Sequence, residues 1–330
     1  MSAQKGFFPP ALVGPGLALA SFALYSAHDV IVKKLGGDYS PVQIVFFSTL
    51  LGLPLALFLL MYDHEDANLR PRRPGWTLLR TTLAIVTAVS VFYAFSVLPM
   101  AQTYAILFAT PLLITILSVP MLGERVGWRR MLAVLVGLFG VLIVLRPGQG
   151  AGLDLGHLAA LFGALTSAFA AIILRKVGRE ERNIVLLLYP MMGNIVVMGL
   201  ALPFVYRPMP VTDFVAWFAM AAMGMVATLM VIAAYKRAPA VRIAPMQYSQ
   251  IIWAAFFGAI FFGETIDLGT FIGAAVIIAS GIYILFREDR VNVSDNKPVL
   301  QTPSRVETGT YPRVNRLPEE APKDDTPPKS

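Results

Sequence analysis

Cysteine is absent from the 330 residues, which excludes disulfides, thiolate nucleophiles and cysteine-ligated metals. Charge is scarce as well: 14% of the residues are Asp, Glu, Lys or Arg, against about 25% in a typical soluble domain. The three histidines, at 28, 64 and 157, fall in separate regions, and His64-Glu65 lacks the second histidine of a zinc HExxH site. There is no G-x-S-x-G elbow and no P-loop, so the chain is not read as an enzyme or an ATPase, and no cofactor is expected.

What is present is apolar: 56% hydrophobic residues and a mean hydropathy of +0.66, gathered into long runs. A helix crossing a hydrocarbon core of about 30 Å needs roughly 20 such residues. Ten runs qualify, at 13–33, 41–61, 77–97, 101–121, 128–145, 156–174, 184–205, 212–234, 241–262 and 267–286. Short connectors, as at Leu98-Pro99-Met100 and Gly263-Glu264, set neighbouring helices antiparallel. The first run follows only Lys5 and no clear cleavage site, and is read as a retained helix after a short N-terminus, 1–12. Residues 287–330 differ in kind, with eight basic residues, eight acidic residues and seven prolines, and are expected to form a disordered tail.

The net charge of +7 arises in the membrane part and gathers between the helices, which points to cytoplasmic loops and away from a nucleic-acid surface. One set of alternate loops holds Arg70, Arg72, Arg73 and Arg80, then Arg125, Arg129 and Arg130, then Arg175, Lys176, Arg179 and Arg182, then Lys236, Arg237 and Arg242. The other set holds only Lys33, Lys34, Arg146 and Arg207. Fourteen against four predicts that the first set, and both termini, lie in the cytoplasm.

The chain also repeats itself. Pro99 precedes Gly123-Glu124 by 24 residues, Pro239 precedes Gly263-Glu264 by the same interval, and the two pairs are offset by 140. Ala23-Leu24-Tyr25-Ser26-Ala27 resembles Ala164-Leu165-Thr166-Ser167-Ala168 at an offset of 141, and Lys33-Lys34-Leu35-Gly36 resembles Arg175-Lys176-Val177-Gly178 at 142. The loop charges place Glu124 and Glu264 on opposite sides, so the two five-helix units, 13–146 and 147–286, are expected to be inverted. The predicted fold is an all-α membrane protein of ten transmembrane helices.

The small-residue-rich first helix with Asp29 and Lys33, the Pro99 to Gly123-Glu124 stretch and its copy from Pro239 together resemble the EamA-type ten-helix carriers of the bacterial drug/metabolite transporter superfamily. The resemblance implies a multi-pass protein of the bacterial cytoplasmic (inner) membrane that moves a small organic metabolite by alternating access. Ser26-Ala27-His28-Asp29-Val30 and Ala244-Pro245-Met246-Gln247-Tyr248 are similar to members that carry S-adenosylmethionine or riboflavin; amino acids are also within the family's range. It further implies a cavity lined by the first, third, fourth, sixth, eighth and ninth helices. The rival readings are a channel or sensory protein, and an intramembrane lipid-modifying enzyme.

Ionisable and amide groups inside the spans supply the candidate site. Asp29 is four residues from Lys33, which admits either a local ion pair or, with His28, proton handling or contact with a cationic substrate. Gln247, Gln250 and Trp253 recur every three residues beside Met246 and Tyr248, as interhelical contacts or substrate ligands. Tyr104 and Phe108 share a face with Pro111, and Tyr93 and Asn194 are weaker candidates. Glu124 and Glu264, each after a glycine at a helix end, suit capping. Gly269 and Gly273 form a GxxxG motif, for packing within the chain or for a homodimer. The expected partners are thus a small-molecule metabolite, membrane lipids and protons.

Overall fold

The computed structural model describes residues 10–61, 69–124, 126–146, 154–178, 180–238 and 240–289. Pro239, Arg125, Arg179, His64-Glu65, the N-terminal residues 1–9 and the expected tail from 290 onward lie outside the described residues. The helices run in chain order as α1 (Pro10–Gly36), α2 (Pro41–Met61), α3 (Pro74–Val97), α4 (Met100–Leu107), α5 (Ala109–Leu122), α6 (Trp128–Leu145), α7 (Leu155–Val177), α8 (Asn183–Val205), α9 (Val211–Arg237) and α10 (Ala240–Ile243). A 3₁₀ turn over Ala244–Tyr248 follows, then α11 (Ser249–Phe262) and α12 (Leu268–Asp289). Residues 287–289, expected in the tail, are the last turn of α12.

Among the described residues, eight helices are long and apolar enough to cross a membrane, counting Met100–Leu122 as one; α2 adds a shorter apolar stretch, Pro41–Leu57. Large apolar side chains point outward, Phe204 being 88% exposed and Leu200 72%, as a lipid-facing surface requires.

Two expected helices are interrupted. Residues 101–121 divide at Phe108, and 241–262 contain the 3₁₀ turn. Proline accounts for both: Pro111 and Pro245 lack the N–H that would bond four residues back, and each ring crowds the carbonyl there. Arg80, counted among the loop charges although it falls within the expected run 77–97, lies inside α3 and is 1% exposed, and its Nη1 donates to the Leu186 carbonyl at 2.7 Å. The hydrogen bond spares a buried guanidinium that a loop would have left in water.

The most extensive helix contacts are α6 with α12, α3 with α7 and α1 with α9, followed equally by α2 with α8 and α5 with α7. All five join residues before 146 to residues after 154, so the core is shared between the two parts. Residues matched by the repeat make matched contacts. The Tyr25 hydroxyl meets Thr228 Oγ1 at 2.7 Å, and Thr166, which corresponds to Tyr25, meets Thr87 at 2.7 Å. Phe108 and Tyr248, 140 residues apart, pack edge-on against each other at 5.1 Å.

The helix ends match as well. Gly123 (φ 69°) and Gly263 (φ 64°) adopt the left-handed conformation that ends a helix, and the next N–H, of Glu124 or Glu264, reaches back to the Ser118 or Gly258 carbonyl. The glycine N–H itself bonds four residues back, to the Val119 or Ala259 carbonyl, which is the αL cap, open to glycine at little steric cost. The GxxxG glycines face α6 of the same chain: a Cβ on Gly273 would stand 2.6 Å from the Gly140 carbonyl oxygen, and one on Gly269 would meet Arg146.

Candidate functional site

Asp29 lies on α1, 2% exposed, where the spacing to Lys33 admitted an ion pair. That pair is not formed: the Lys33 Nζ stands 2.9 Å from Glu264 Oε1 and donates to the Leu98 carbonyl at 2.5 Å. Lys33 is on the final turn of α1, so its long stem reaches the helix-end groups more readily than it folds back toward the buried wall. Asp29 instead accepts the Tyr104 hydroxyl at Oδ2, and its Oδ1 lies 2.7 Å from His28 Nδ1.

Tyr104 is fully buried and holds this cluster together. Its ring packs edge-on against Phe95 at 5.2 Å and beside Phe108 at 6.1 Å. Its hydroxyl is also 3.5 Å from Gln250 Nε2 and from Ser26 Oγ. The cluster therefore joins α1, α4 and α11, parts of the first, fourth and ninth expected helices, all three named from the sequence as carriers of the site. Gln250 Oε1, also fully buried, has no hydrogen-bond partner among the described residues.

His28 faces the other way, into a cavity between α1, α2, α3, α8 and α9. Tyr25 and His28 form its α1 wall, Ser48 and Thr49 its α2 wall, Ala88 and Phe92 its α3 wall, and Met191, Asn194, Met220 and Met225 the remainder. About 110 Å³ is open to the centres of water molecules. That is room for several waters. A drug-sized ligand occupies a site of about 300–1,000 Å³, so a metabolite would need the helices to part. The lining mixes aromatic rings and thioethers with a few polar groups, and thioethers repack readily around irregular ligands.

Of the helices expected around the substrate, the first, third and eighth (α1, α3, α9) line this cavity together with α2 and α8, while the fourth, sixth and ninth are not among its walls. In the fourth and ninth helices Phe108 and Tyr248, at the two breaks, pack edge-on against each other and fill the space between them with their own rings. Phe92, not Tyr93, lines the cavity; Tyr93 is only part-buried. Trp253 stacks on Phe257 at 6.3 Å within α11, and Gln247 is part-buried in the 3₁₀ turn, both away from the cavity. Asn194, 3% exposed, is in the lining, and its Oδ1 has no hydrogen-bond partner among the described residues.

Loops clamp the bundle at both ends. Gln43 exchanges two 2.9 Å hydrogen bonds with the Arg207 backbone, and Tyr39 donates to Asp213 at 2.5 Å. That bond, with burial behind it, pushes the Tyr39 phenol up to about 12. Elsewhere Arg73 pairs with Glu180 at 2.8 Å, and Arg182 donates to the Arg70 carbonyl at 3.1 Å.

The profile of the EamA-like transporter family matches the chain twice, over residues 12–146 and 154–287. An S-adenosylmethionine uptake transporter of Rickettsia bellii is 26% identical over 278 residues, covering 84% of this chain and 95% of that protein. The pseudopaline exporter CntI of Pseudomonas aeruginosa is 25% identical over 273 residues, covering 80% and 92%. A solved crystal structure with 17% identity superposes with a TM-score of 0.54, covering 86% of this chain and 98% of that one, which shows a shared fold.

Proposed function

The chain belongs to the EamA-like transporter family and is a multi-pass small-molecule transporter, and on that premise we propose that it carries an organic metabolite across the cytoplasmic membrane by alternating access. The observation that carries this reading is the buried Asp29–Tyr104–His28 cluster beside a cavity whose walls come from both parts of the chain. A buried carboxyl group in a span is costly unless satisfied or used, and here its partners include Tyr104 and His28, groups that exchange protons. His28 presents its ring to the cavity, so Asp29 can sense a bound cation through it.

The matched contacts of the two copies support ten membrane segments in two inverted repeats, with the site between them. Loop arginines support cytoplasmic termini. No nucleotide motif occurs in the sequence, and the driving force is assigned to the solute gradient or to protons passing through Asp29. S-adenosylmethionine leads the substrate candidates, since a relative of this length carries that name and since a sulfonium suits a wall of aromatic rings and thioethers. Riboflavin and amino acids follow.

Uptake of labelled S-adenosylmethionine, riboflavin and amino acids into proteoliposomes tests the reading. One class is expected to enter saturably; flux that rises linearly with concentration for every solute would indicate a channel and contradict it.

A further inference from the structure

Two ion pairs stand at opposite ends of the Met100–Leu122 span. At the Met100 end, Lys33 Nζ lies 2.9 Å from Glu264 Oε1, and Glu264 Oε2 accepts the Met100 N–H at 2.8 Å. At the Leu122 end, Arg175 Nη2 lies 2.5 Å from Glu124 Oε1. The 23 residues between them rise about 1.5 Å each, so the pairs are separated by roughly the thickness of a bilayer core.

The four residues are two pairs of repeat equivalents. Lys33 corresponds to Arg175 at an offset of 142 and Glu124 to Glu264 at 140, and each ion pair takes its base from one copy and its acid from the other. Each therefore bridges the copies at one end only. Both are shielded, with side-chain exposures of 12% and 17% for Lys33 and Glu264 and 9% and 11% for Arg175 and Glu124. None of the four lines the cavity.

We propose that these ion pairs are alternating latches: Lys33–Glu264 holds the copies together at one membrane face, Arg175–Glu124 at the other, and the pair that is released sets which face of the cavity opens. The proposal rests on the carrier reading above. Shielded charges attract strongly while together, yet each regains hydration when its own face opens, so release is not prohibitive. The latches differ in kind. Arg175 offers a planar fork to both Glu124 oxygens, at 2.5 and 3.5 Å, whereas Lys33 divides one ammonium among Glu264, the Leu98 carbonyl and the Phe262 ring. The Lys33 latch is accordingly the looser.

Because the chain has no cysteine, Ser48→Cys places a single thiol in the cavity wall for labelling by a membrane-impermeant maleimide from either face of oriented vesicles. Glu264→Gln, which keeps an oxygen for the Met100 N–H, is expected to raise labelling about fivefold from one face, and Glu124→Gln by a similar factor from the opposite face. The exchange Lys33→Glu with Glu264→Lys is expected to return labelling to the parental level. Equal labelling from both faces in either variant, an increase on the same face in both, or no change in monodisperse protein would overturn the latches. Labelling needs no substrate. Opposite-face labelling in a chain that carries nothing would uphold the latches and remove the transport reading.

Discussion

The Tyr104 hydroxyl on α4 donates to Asp29 Oδ2 on α1, joining two side chains that are 0% and 2% exposed. Tyr104→Phe keeps the ring against Phe95 and Phe108 and removes the hydroxyl, the donor to Asp29 and the 3.5 Å neighbour of Ser26 and Gln250. The variant is expected to lose about 1–3 kcal/mol of stability. Thermal unfolding of Tyr104→Phe, Asp29→Leu, which has no acceptor, and the double variant checks this: the two losses should be less than additive, and strict additivity would show that the bond carries no energy.

Asp29→Asn retains an acceptor for Tyr104 and cannot exchange a proton. Substrate uptake in proteoliposomes is expected to lose its dependence on external pH while remaining measurable. An unchanged pH profile would remove Asp29 from coupling.

The cavity wall predicts a division among the polar and aromatic candidates. Asn194→Ala is expected to raise KM about tenfold, equivalent to about 1.4 kcal/mol, because a lining group is lost. Trp253→Phe, in the α11 aromatic row away from the cavity, is expected to leave KM and kcat within twofold. Transport kinetics of the two variants would contradict this site if their effects were reversed.

Gly273 meets α6 through its backbone, so Gly273→Ala should force the helices apart and cost about 1–3 kcal/mol. The unfolding temperature in detergent is expected to fall while the oligomeric mass, measured by light scattering, stays the same. A change in mass with no loss of stability would show that the motif acts between chains.

Eight of the spans were legible because apolar length is a strong local signal, and Gly123 and Gly263 marked two helix ends because left-handed backbone favours glycine. Tyr104, Phe108, Gln250 and Tyr248 could be selected as candidates from Asp29 outward, since polar and aromatic groups are conspicuous in apolar helices. Partners were not legible. That Lys33 chooses Glu264 over Asp29 depends on a contact 231 residues away, and helical spacing speaks only for the neighbour four residues back. The cavity roles of Ser48, Phe92 and Met220 were missed for a similar reason: small polar, aromatic and thioether residues look alike whether they face lipid, a neighbour or a cavity. Ser48-Thr49, a polar doublet inside an apolar run, was the one available hint.

Alternating access is tested most directly by exchange across proteoliposomes with the substrate identified by uptake. Preloading the lumen with unlabelled substrate is expected to accelerate entry of labelled substrate several-fold, because a loaded carrier returns its site faster than an empty one. Entry at an unchanged rate at every internal concentration, by protein that still binds the substrate, would contradict a carrier whose single site is exposed to one face at a time.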